Sequence, residues 1–262
     1  MLGEAPKSVT TGIPGWEQPS EEMLLIELAR KYVPDNGIIV ELGGETGRSA
    51  GQFLYATIEK ENVIVHTIDL FPTDHHDVGD LMKAQRDNIR EALPSESYRH
   101  VQIRSISWEA ADIFDGMIDL LFIDAGHTYQ DVQKDIAAWH GKVKEGGVIV
   151  FHDYARNEQS HYLHWEVKRA VDEFFISHKD DYLFFDGDDS IVYMVKKEKS
   201  VLKKVVESVK EIVNPKEDID KTIEYEIENV HTLNAKEAQR VREITEENKP
   251  AQPKKKGRPA KQ

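Results

Sequence analysis

Apolar runs typical of strands alternate with segments of helical periodicity from residue 20 to about residue 176. Five runs predict buried strands, at residues 38–42, 63–69, 100–104, 118–124 and 148–153. Each is followed by a predicted helix, at residues 49–58, 79–93, 108–114, 129–143 and 163–176, and a further helix with Ser20 as its N-cap precedes the first strand. This alternation predicts a parallel sheet with helices on both faces, because parallel strands need long crossover connections.

Two further runs, residues 182–185 and 190–195, are predicted to close the sheet as a hairpin. The segment between them contains Asp186-Gly-Asp-Asp189, which is typical of a turn. The sequence therefore predicts an α/β, Rossmann-like, doubly wound sheet of about seven strands, mostly parallel with an antiparallel edge strand. Ligands bind such sheets outside the carboxyl ends of the strands, so the residues that end the strands are the first candidates for a site.

The composition narrows the class of protein. The chain has no cysteine, which excludes disulfides and thiolate metal sites and favours a reducing compartment. It has no apolar run long enough to span a membrane, and its first 20 residues lack the features of a signal peptide. We therefore expect a soluble, cytoplasmic protein that does not enter the membrane.

Charge is distributed unevenly along the chain. Residues 1–196 contain 18 Lys and Arg against 35 Asp and Glu, a net charge of −17, whereas residues 197–262 contain 16 against 13, a net charge of +3. An acidic body disfavours a long nucleic-acid footprint, so nucleic acid is not expected as the main partner.

A glycine-rich turn, Glu41-Leu-Gly43-Gly44-Glu-Thr-Gly47-Arg-Ser49, joins the first predicted strand to its helix. Glycine lets the backbone approach a ligand closely, and the helix N-terminus offers unpaired N–H groups. Dinucleotide-binding turns carry glycines at a different spacing, and a carboxylate such as Glu41 would repel a pyrophosphate. The negative charge of Glu41 suits a cationic ligand such as S-adenosylmethionine (SAM) instead. The alternative is an ordinary turn in which Glu41 caps backbone amides.

An acidic residue ends the second predicted strand. Asp69 follows the turn by about 20 residues, the separation at which a carboxylate commonly binds the hydroxyls of a ribose. The alternative is an aspartate that only starts a turn. Together with the glycine turn, Asp69 favours a nucleoside-containing ligand.

Two later segments carry a family resemblance. Residues 118–129 read IDLLFIDAGHTY and residues 146–154 read GGVIVFHDY, and they end the fourth and fifth predicted strands. With the glycine turn, they make the chain from about Glu22 to Val195 resemble class I SAM-dependent methyltransferases of the small O-methyltransferase type.

The resemblance implies a cofactor site at the strand ends. Glu41, Gly43 and Gly47 would line the methionine part of SAM, and Asp69 would hold the ribose. Asp124 would face both the SAM amino group and the substrate. The remaining residues predicted to line the cofactor are Ser49 and Leu70, and Ser107 and Trp108 beside the adenine.

Methyl transfer to an oxygen needs orientation and a proton acceptor. His127, on the loop after the fourth strand, is the candidate base, with Asp124 beside it; the alternative is a loop histidine that only shapes the turn. Metal-dependent relatives hold Mg²⁺ with an Asp and an Asp-Asn pair. Here Asp124 and Asp153 match, but Tyr154 replaces the Asn. Mg²⁺ is thus one hypothesis, and the other is that Asp153 orients His127 or binds substrate.

The sequence divides into four predicted parts: an N-terminal extension (1–20), a methyltransferase domain (21–196), a charged amphipathic helical extension (197–247) and a disordered basic tail (248–262). The helical extension favours a homo-oligomer, and Gly257-Arg-Pro259 in the tail resembles the core of an AT-hook. A solvated end is the alternative for the tail.

We therefore expect a SAM-dependent enzyme that methylates a hydroxyl of a small molecule or glycan. The alternatives are a non-catalytic module on the same fold and a nucleic-acid-associated methyltransferase tethered by the basic tail.

Overall fold

Seven strands form one sheet in the computed structural model, which describes residues 12–75, 78–157 and 159–198. The strands are β1 (Ile38–Leu42), β2 (Ile64–Asp69), β3 (His100–Arg104), β4 (Ile118–Ile123), β5 (Val143–Phe151), β6 (Tyr182–Asp186) and β7 (Val192–Lys196). The helices are α1 (Pro19–Tyr32), α2 (Arg48–Ala56), α3 (Leu81–Ala92), α4 (Ser107–Ala110), α5 (Tyr129–Trp139) and α6 (Tyr162–His178). The extension and basic tail predicted from residue 197 onwards lie outside the described residues, apart from 197 and 198.

The strand order is β3-β2-β1-β4-β5-β7-β6. β1 to β5 run parallel, β7 is antiparallel to β5, and β6 at the edge is antiparallel to β7. The predicted mixed, doubly wound sheet is confirmed. The chain moves from β1 outward to β3 and then returns to place β4 on the other side of β1, so a crevice opens at the carboxyl ends of β1 and β4.

The central strands β1 and β4 and the second half of β5 are buried on both faces, which explains their nearly continuous apolar sequences. Successive side chains of β4 alternate between two cores: Phe122 packs with Leu25 of α1 and Phe53 of α2, whereas Leu121 packs with Trp139 of α5 on the opposite face. The two helical layers hold the sheet rigidly from both sides and fix the positions of its carboxyl ends.

Two predicted boundaries are wrong for identifiable reasons. α1 begins at Pro19, and its N-cap is Gln18 instead of the predicted Ser20. The Gln18 N–H donates to the Glu21 side chain at 2.9 Å, and proline suits the first turn of a helix. β5 begins at Val143 and not after the glycines, since Gly146 takes a φ of 77° and a register shift against β4 absorbs the irregularity.

None of the helices in the described part of the chain is long and apolar enough to cross a membrane.

Candidate active site

A cleft of about 950 Å³ opens at the carboxyl ends of β1, β2, β4 and β5. Its walls come from the glycine turn after β1, residues 68–70, residues 105–108, residues 124–127, and the chain just before α1. Segments far apart in the sequence therefore meet in one place, at the edge of the sheet where a ligand was expected.

The glycine turn is shaped by close packing. Gly43 has a φ of 78°, and a side chain there would collide with the backbone of Asp124 across the cleft floor. Gly47 has a φ of 92°, and a Cβ on it would lie 2.6 Å from Gln85 Cγ and 3.0 Å from Ile89 Cδ1. Gly43 and Ser49 line the cleft, whereas Gly47 is required by the packing of α2 against α3.

Glu41 lies beneath the turn and not in the cleft wall. Its carboxyl group is fully buried, with Ser49 Oγ donating to Oε1 and Thr67 Oγ1 donating to Oε2 at 2.6 Å. Burial raises the pKa of Glu41 to about 8, so the group is neutral at physiological pH. Glu41 and Gly47 are not among the residues that line the cleft, so their predicted contacts with a cofactor stay predictions.

Replacing Glu41 with glutamine should make the stability of the free protein less sensitive to pH. In the wild type the unfolded chain ionises Glu41 above its ordinary pKa of 4.5, whereas the folded chain keeps it protonated up to about 8. The free energy of unfolding therefore falls as the pH rises from 4.5 through 8. The amide of glutamine does not ionise, so the variant lacks this fall. Denaturant unfolding at pH 5 and pH 8 measures it, with Glu27→Gln on the exposed face of α1 as the matched control. Identical pH dependence in wild type and Glu41→Gln would contradict the neutral assignment.

Asp69 stands at the end of β2 and lines the cleft. Its Oδ2 accepts from the N–H groups of Gly44 at 3.0 Å and Glu45 at 3.2 Å, and its Oδ1 accepts from the Phe71 N–H at 2.8 Å. A carboxylate has about four acceptor positions, so capacity remains for a ligand hydroxyl. Asp69 thus joins the glycine turn to the cleft.

The cleft is also lined by the residues predicted to contact an adenine. Leu70, Ser107 and Trp108 all line it, and the Ser107 carbonyl accepts from the Trp139 indole N–H at 2.9 Å. Lys134 Nζ lies 4.3 Å from the centroid of the Trp108 ring. These contacts hold an apolar surface against which a flat heterocycle can stack.

His127 lies between two carboxylates. Its Nε2 is 2.7 Å from Asp153 Oδ2 and 3.5 Å from Asp124 Oδ1, and all three side chains are partly exposed to the cleft. Asp153 has a φ of 57°, in the left-handed region of backbone conformation, which aspartate adopts more often than most residues. Hydrogen bonds with Asp124 and Asp153 raise the pKa of His127 to about 10, so the imidazole is charged in the free protein.

Three further side chains belong to this cluster and were missed as site residues. His152 Nδ1 is 3.2 Å from Asp124 Oδ1, its Nε2 is 3.3 Å from Glu21 Oε2, and His164 Nε2 is 3.1 Å from Asp153 Oδ1. Burial disfavours the charge on His152, but Asp124 and Glu21 outweigh it and raise its pKa to about 12. The position of His152 beside Asp153 at a strand end is the sequence signal that could have indicated a site residue. No local pattern indicates that Glu21 belongs to the site.

The cluster is a poor fit to Mg²⁺. One donor atom each of Asp124, His152 and Asp153 lies within 4.8 Å of the others, a spacing that a cation could bridge. However, Mg²⁺ prefers oxygen ligands and water, whereas here imidazoles already contact both carboxylates and His127 Nε2 lies between them. The cluster therefore supports no reaction step on a bound Mg²⁺ ion.

Comparison with known proteins gives a family match over the central part of the chain. Residues 40–154 match the family model described as "Methyltransferase domain". The uncharacterized protein R132 of Acanthamoeba polyphaga mimivirus is 25% identical over 134 residues, which are 50% of this chain and 58% of that protein. The chain thus matches little more than half the length of this curated relative.

Solved structures share the fold at low sequence identity. The SAH-bound methyltransferase PaMTH1 of Podospora anserina superposes with a TM-score of 0.54 and 17% identity, covering 70% of this chain and 80% of that one. The TDP-rhamnose 3′-O-methyltransferase CalS11, an enzyme of calicheamicin biosynthesis, gives a TM-score of 0.52 and 15% identity over 67% and 78% of the two chains. Residues 40–154 therefore match a methyltransferase domain, and the described residues share the fold of solved methyltransferases.

Proposed function

We propose that the chain transfers a methyl group from SAM to a hydroxyl group of a small polar molecule or sugar. The observation that carries this proposal is the contact of His127 with Asp124 and Asp153 in the cleft that the glycine turn also lines. This charged cluster and the residues predicted to hold a nucleoside line one cavity, as methylation of a hydroxyl requires.

The cleft suits SAM along its length. Asp69 offers a carboxylate to the ribose, and Leu70 and Trp108 offer an apolar surface to the adenine. Asp124 lies at the other end, where a cationic amino group would be stabilised. When bound, SAM supplies a methyl group on a positively charged sulfur, and the protein contributes mainly orientation and exclusion of water.

The acceptor side of the cleft is polar. His127, Asp153 and His164 face it together. The charged imidazole of His127 can donate to a hydroxyl oxygen, and the Asp153 carboxylate can accept from a hydroxyl group. This donor set favours an alcohol over an apolar acceptor. The sugar O-methyltransferase among the structural neighbours is consistent with a glycosyl hydroxyl, although the likeness itself concerns the fold alone.

We assign His127 as the base that accepts the proton of the acceptor's hydroxyl group. Its raised pKa depends on the negative charges of Asp124 and Asp153. An ammonium group bound against Asp124 would share that charge and lower the pKa of His127, which would increase the neutral fraction that can accept a proton. Asp153 would then stabilise the imidazolium that forms.

The proposal is tested by incubating the protein with methyl-labelled SAM and a panel of sugars, nucleotide sugars and small alcohols, with and without EDTA. We expect an O-methylated product from at least one hydroxyl acceptor, at a rate that EDTA leaves within about twofold of its value. The matched panel replaces each reacting hydroxyl with hydrogen and should give no product. Methylation of amino groups alone would contradict the acceptor class, and loss of turnover in EDTA would contradict the metal-free site.

A further inference from the structure

Glu21, in the first turn of α1, is a charged side chain buried beside the cleft. Only 2% of it is exposed to solvent. It lies outside residues 40–154, the part of the chain that matches the family model. A buried charge is costly unless it is paired and hydrogen-bonded, so the contacts of Glu21 indicate what it does.

The Glu21 carboxylate has four polar partners. Its Oε1 accepts from the Ser190 N–H at 2.9 Å and from Ser190 Oγ at 2.6 Å. Its Oε2 accepts from the Gln18 N–H at 2.9 Å and lies 3.3 Å from His152 Nε2. A carboxylate has about four acceptor positions, so these partners use all of them. Glu21 therefore joins α1, the loop between β6 and β7, and the residue that follows β5.

His152 connects Glu21 to the cluster around His127. Its Nε2 faces Glu21 Oε2, and its Nδ1 lies 3.2 Å from Asp124 Oδ1 and 3.7 Å from Asp153 Oδ1. Ionised carboxylates only accept hydrogen bonds, so both ring nitrogens carry a proton and the imidazole is positively charged. His152 thus presents a buried cation to both of the aspartates that contact His127.

The pair of Glu21 and His152 is held rigidly. The His152 ring is only 7% exposed and packs edge-on against Phe122, with the ring centroids 6.2 Å apart. Phe122 belongs to the same buried core as Leu25 of α1. Burial disfavours the charge of Glu21, but the hydrogen bond with His152 outweighs it and lowers the pKa of Glu21 to about 2. The two side chains therefore form an ion pair in a fixed place.

We propose that Glu21 is a positioning residue for methyl transfer that acts through His152. It holds the His152 ring charged and in place, and that ring fixes the Asp124 carboxylate. Asp124 Oδ1 lies 3.2 Å from His152 Nδ1 and 3.5 Å from His127 Nε2, so the orientation of Asp124 affects where His127 lies. A shift of about 1 Å in such a group can lower a rate by about 100-fold. This role rests on the proposed methyl transfer and adds to it a residue from outside the family match.

Glu21→Gln tests the role, because glutamine has nearly the same size but a single acceptor oxygen. If that oxygen accepts from Ser190, the NH₂ group faces His152 Nε2, and the ring must lose its proton there and accept instead. Nitrogen NMR of the imidazole rings should show both His152 nitrogens protonated in the wild type, and Nε2 unprotonated in the variant. His152→Gln assigns the signals. Glu27→Gln, on the exposed face of α1, is the matched charge control and should leave them unchanged.

Single-turnover rates measure the effect on the reaction. We expect Glu21→Gln to lower the rate of methyl transfer by about 10-fold or more. The affinity for S-adenosylhomocysteine (SAH), measured by calorimetry, should stay within about threefold, because the adenosine end of the cleft is untouched. The double variant Glu21→Gln/His152→Gln should be no slower than His152→Gln alone, because Glu21 acts through His152. Melting temperatures identify any variant that fails to fold, and Glu21→Asp then replaces Glu21→Gln and must show the same dependence on His152.

Three results would overturn the assignment while leaving the proposed function in place. They are wild-type turnover in Glu21→Gln, rate losses that add in the double variant, and a neutral His152 ring in the wild type. Absence of turnover in the wild type with every acceptor would instead overturn the proposed function, and with it any role of Glu21 in methyl transfer. The nitrogen signals of His152 would still show whether Glu21 holds its charge.

Discussion

Replacing His127 with alanine should lower the rate of methyl transfer by about 100-fold or more, the usual contribution of a positioned acid or base. The imidazole lies 2.7 Å from Asp153 and 3.5 Å from Asp124, two carboxylates that would stabilise the imidazolium formed when His127 takes the proton of an acceptor. SAH affinity should stay within about threefold, because the nucleoside end of the cleft is untouched. Single-turnover rates with labelled SAM and calorimetry with SAH measure the two quantities.

A matched histidine separates chemistry from loop shape. His178→Ala, at the end of α6 and outside the cleft, should leave turnover and SAH affinity at their wild-type values. If His127→Ala keeps wild-type turnover, His127 is not the proton acceptor. Equal losses of turnover and SAH affinity would instead assign it to shaping the loop that follows β4.

Replacing Asp69 with asparagine should weaken SAH binding by about 10- to 100-fold, the range for losing hydrogen bonds to a charged acceptor. The carboxylate is the strand-end group that faces the cleft beside the glycine turn, and its remaining acceptor positions are available to a ribose. Asp74→Asn, at an exposed position outside the cleft, is the control and should bind SAH normally.

Asp69 also accepts hydrogen bonds from three backbone N–H groups, so the variant alone does not separate a ribose contact from support of the turn. A second ligand separates the two roles. Wild type should discriminate between SAH and its 2′-deoxy analogue, whereas Asp69→Asn should bind the two with nearly equal affinity. A variant that melts normally and still prefers SAH as strongly as wild type would contradict the ribose contact.

Much of the fold could be predicted because its signals are local. The strand runs of 38–42 and 100–104 agree with β1 and β3. The first is a short, mostly apolar β-branched run, and the second alternates apolar with polar residues, as strands do. Parallel strands bring their carboxyl ends to one edge, so Asp69, Asp124 and Asp153 could be placed near one another without a structure.

Other features depend on tertiary contacts and left no local pattern. Residues 13–18, just before α1, have no periodicity, and their place beside the glycine turn follows from contacts of Pro14 and Trp16 with residues about 30 positions away. The neutral state of Glu41 follows from complete burial with Ser49 and Thr67. The charge of His127 follows from two carboxylates on different strand ends, which spacing along the chain does not reveal.

A crystal structure of the wild-type protein with SAH tests the central claim most directly. The account predicts SAH in the cleft, with ribose hydroxyls within hydrogen-bond distance of Asp69 and the adenine between Leu70 and Trp108. It also predicts that the sulfur points towards His127. Density for SAH at another place, or in the reverse orientation with its adenine against His127, would contradict it.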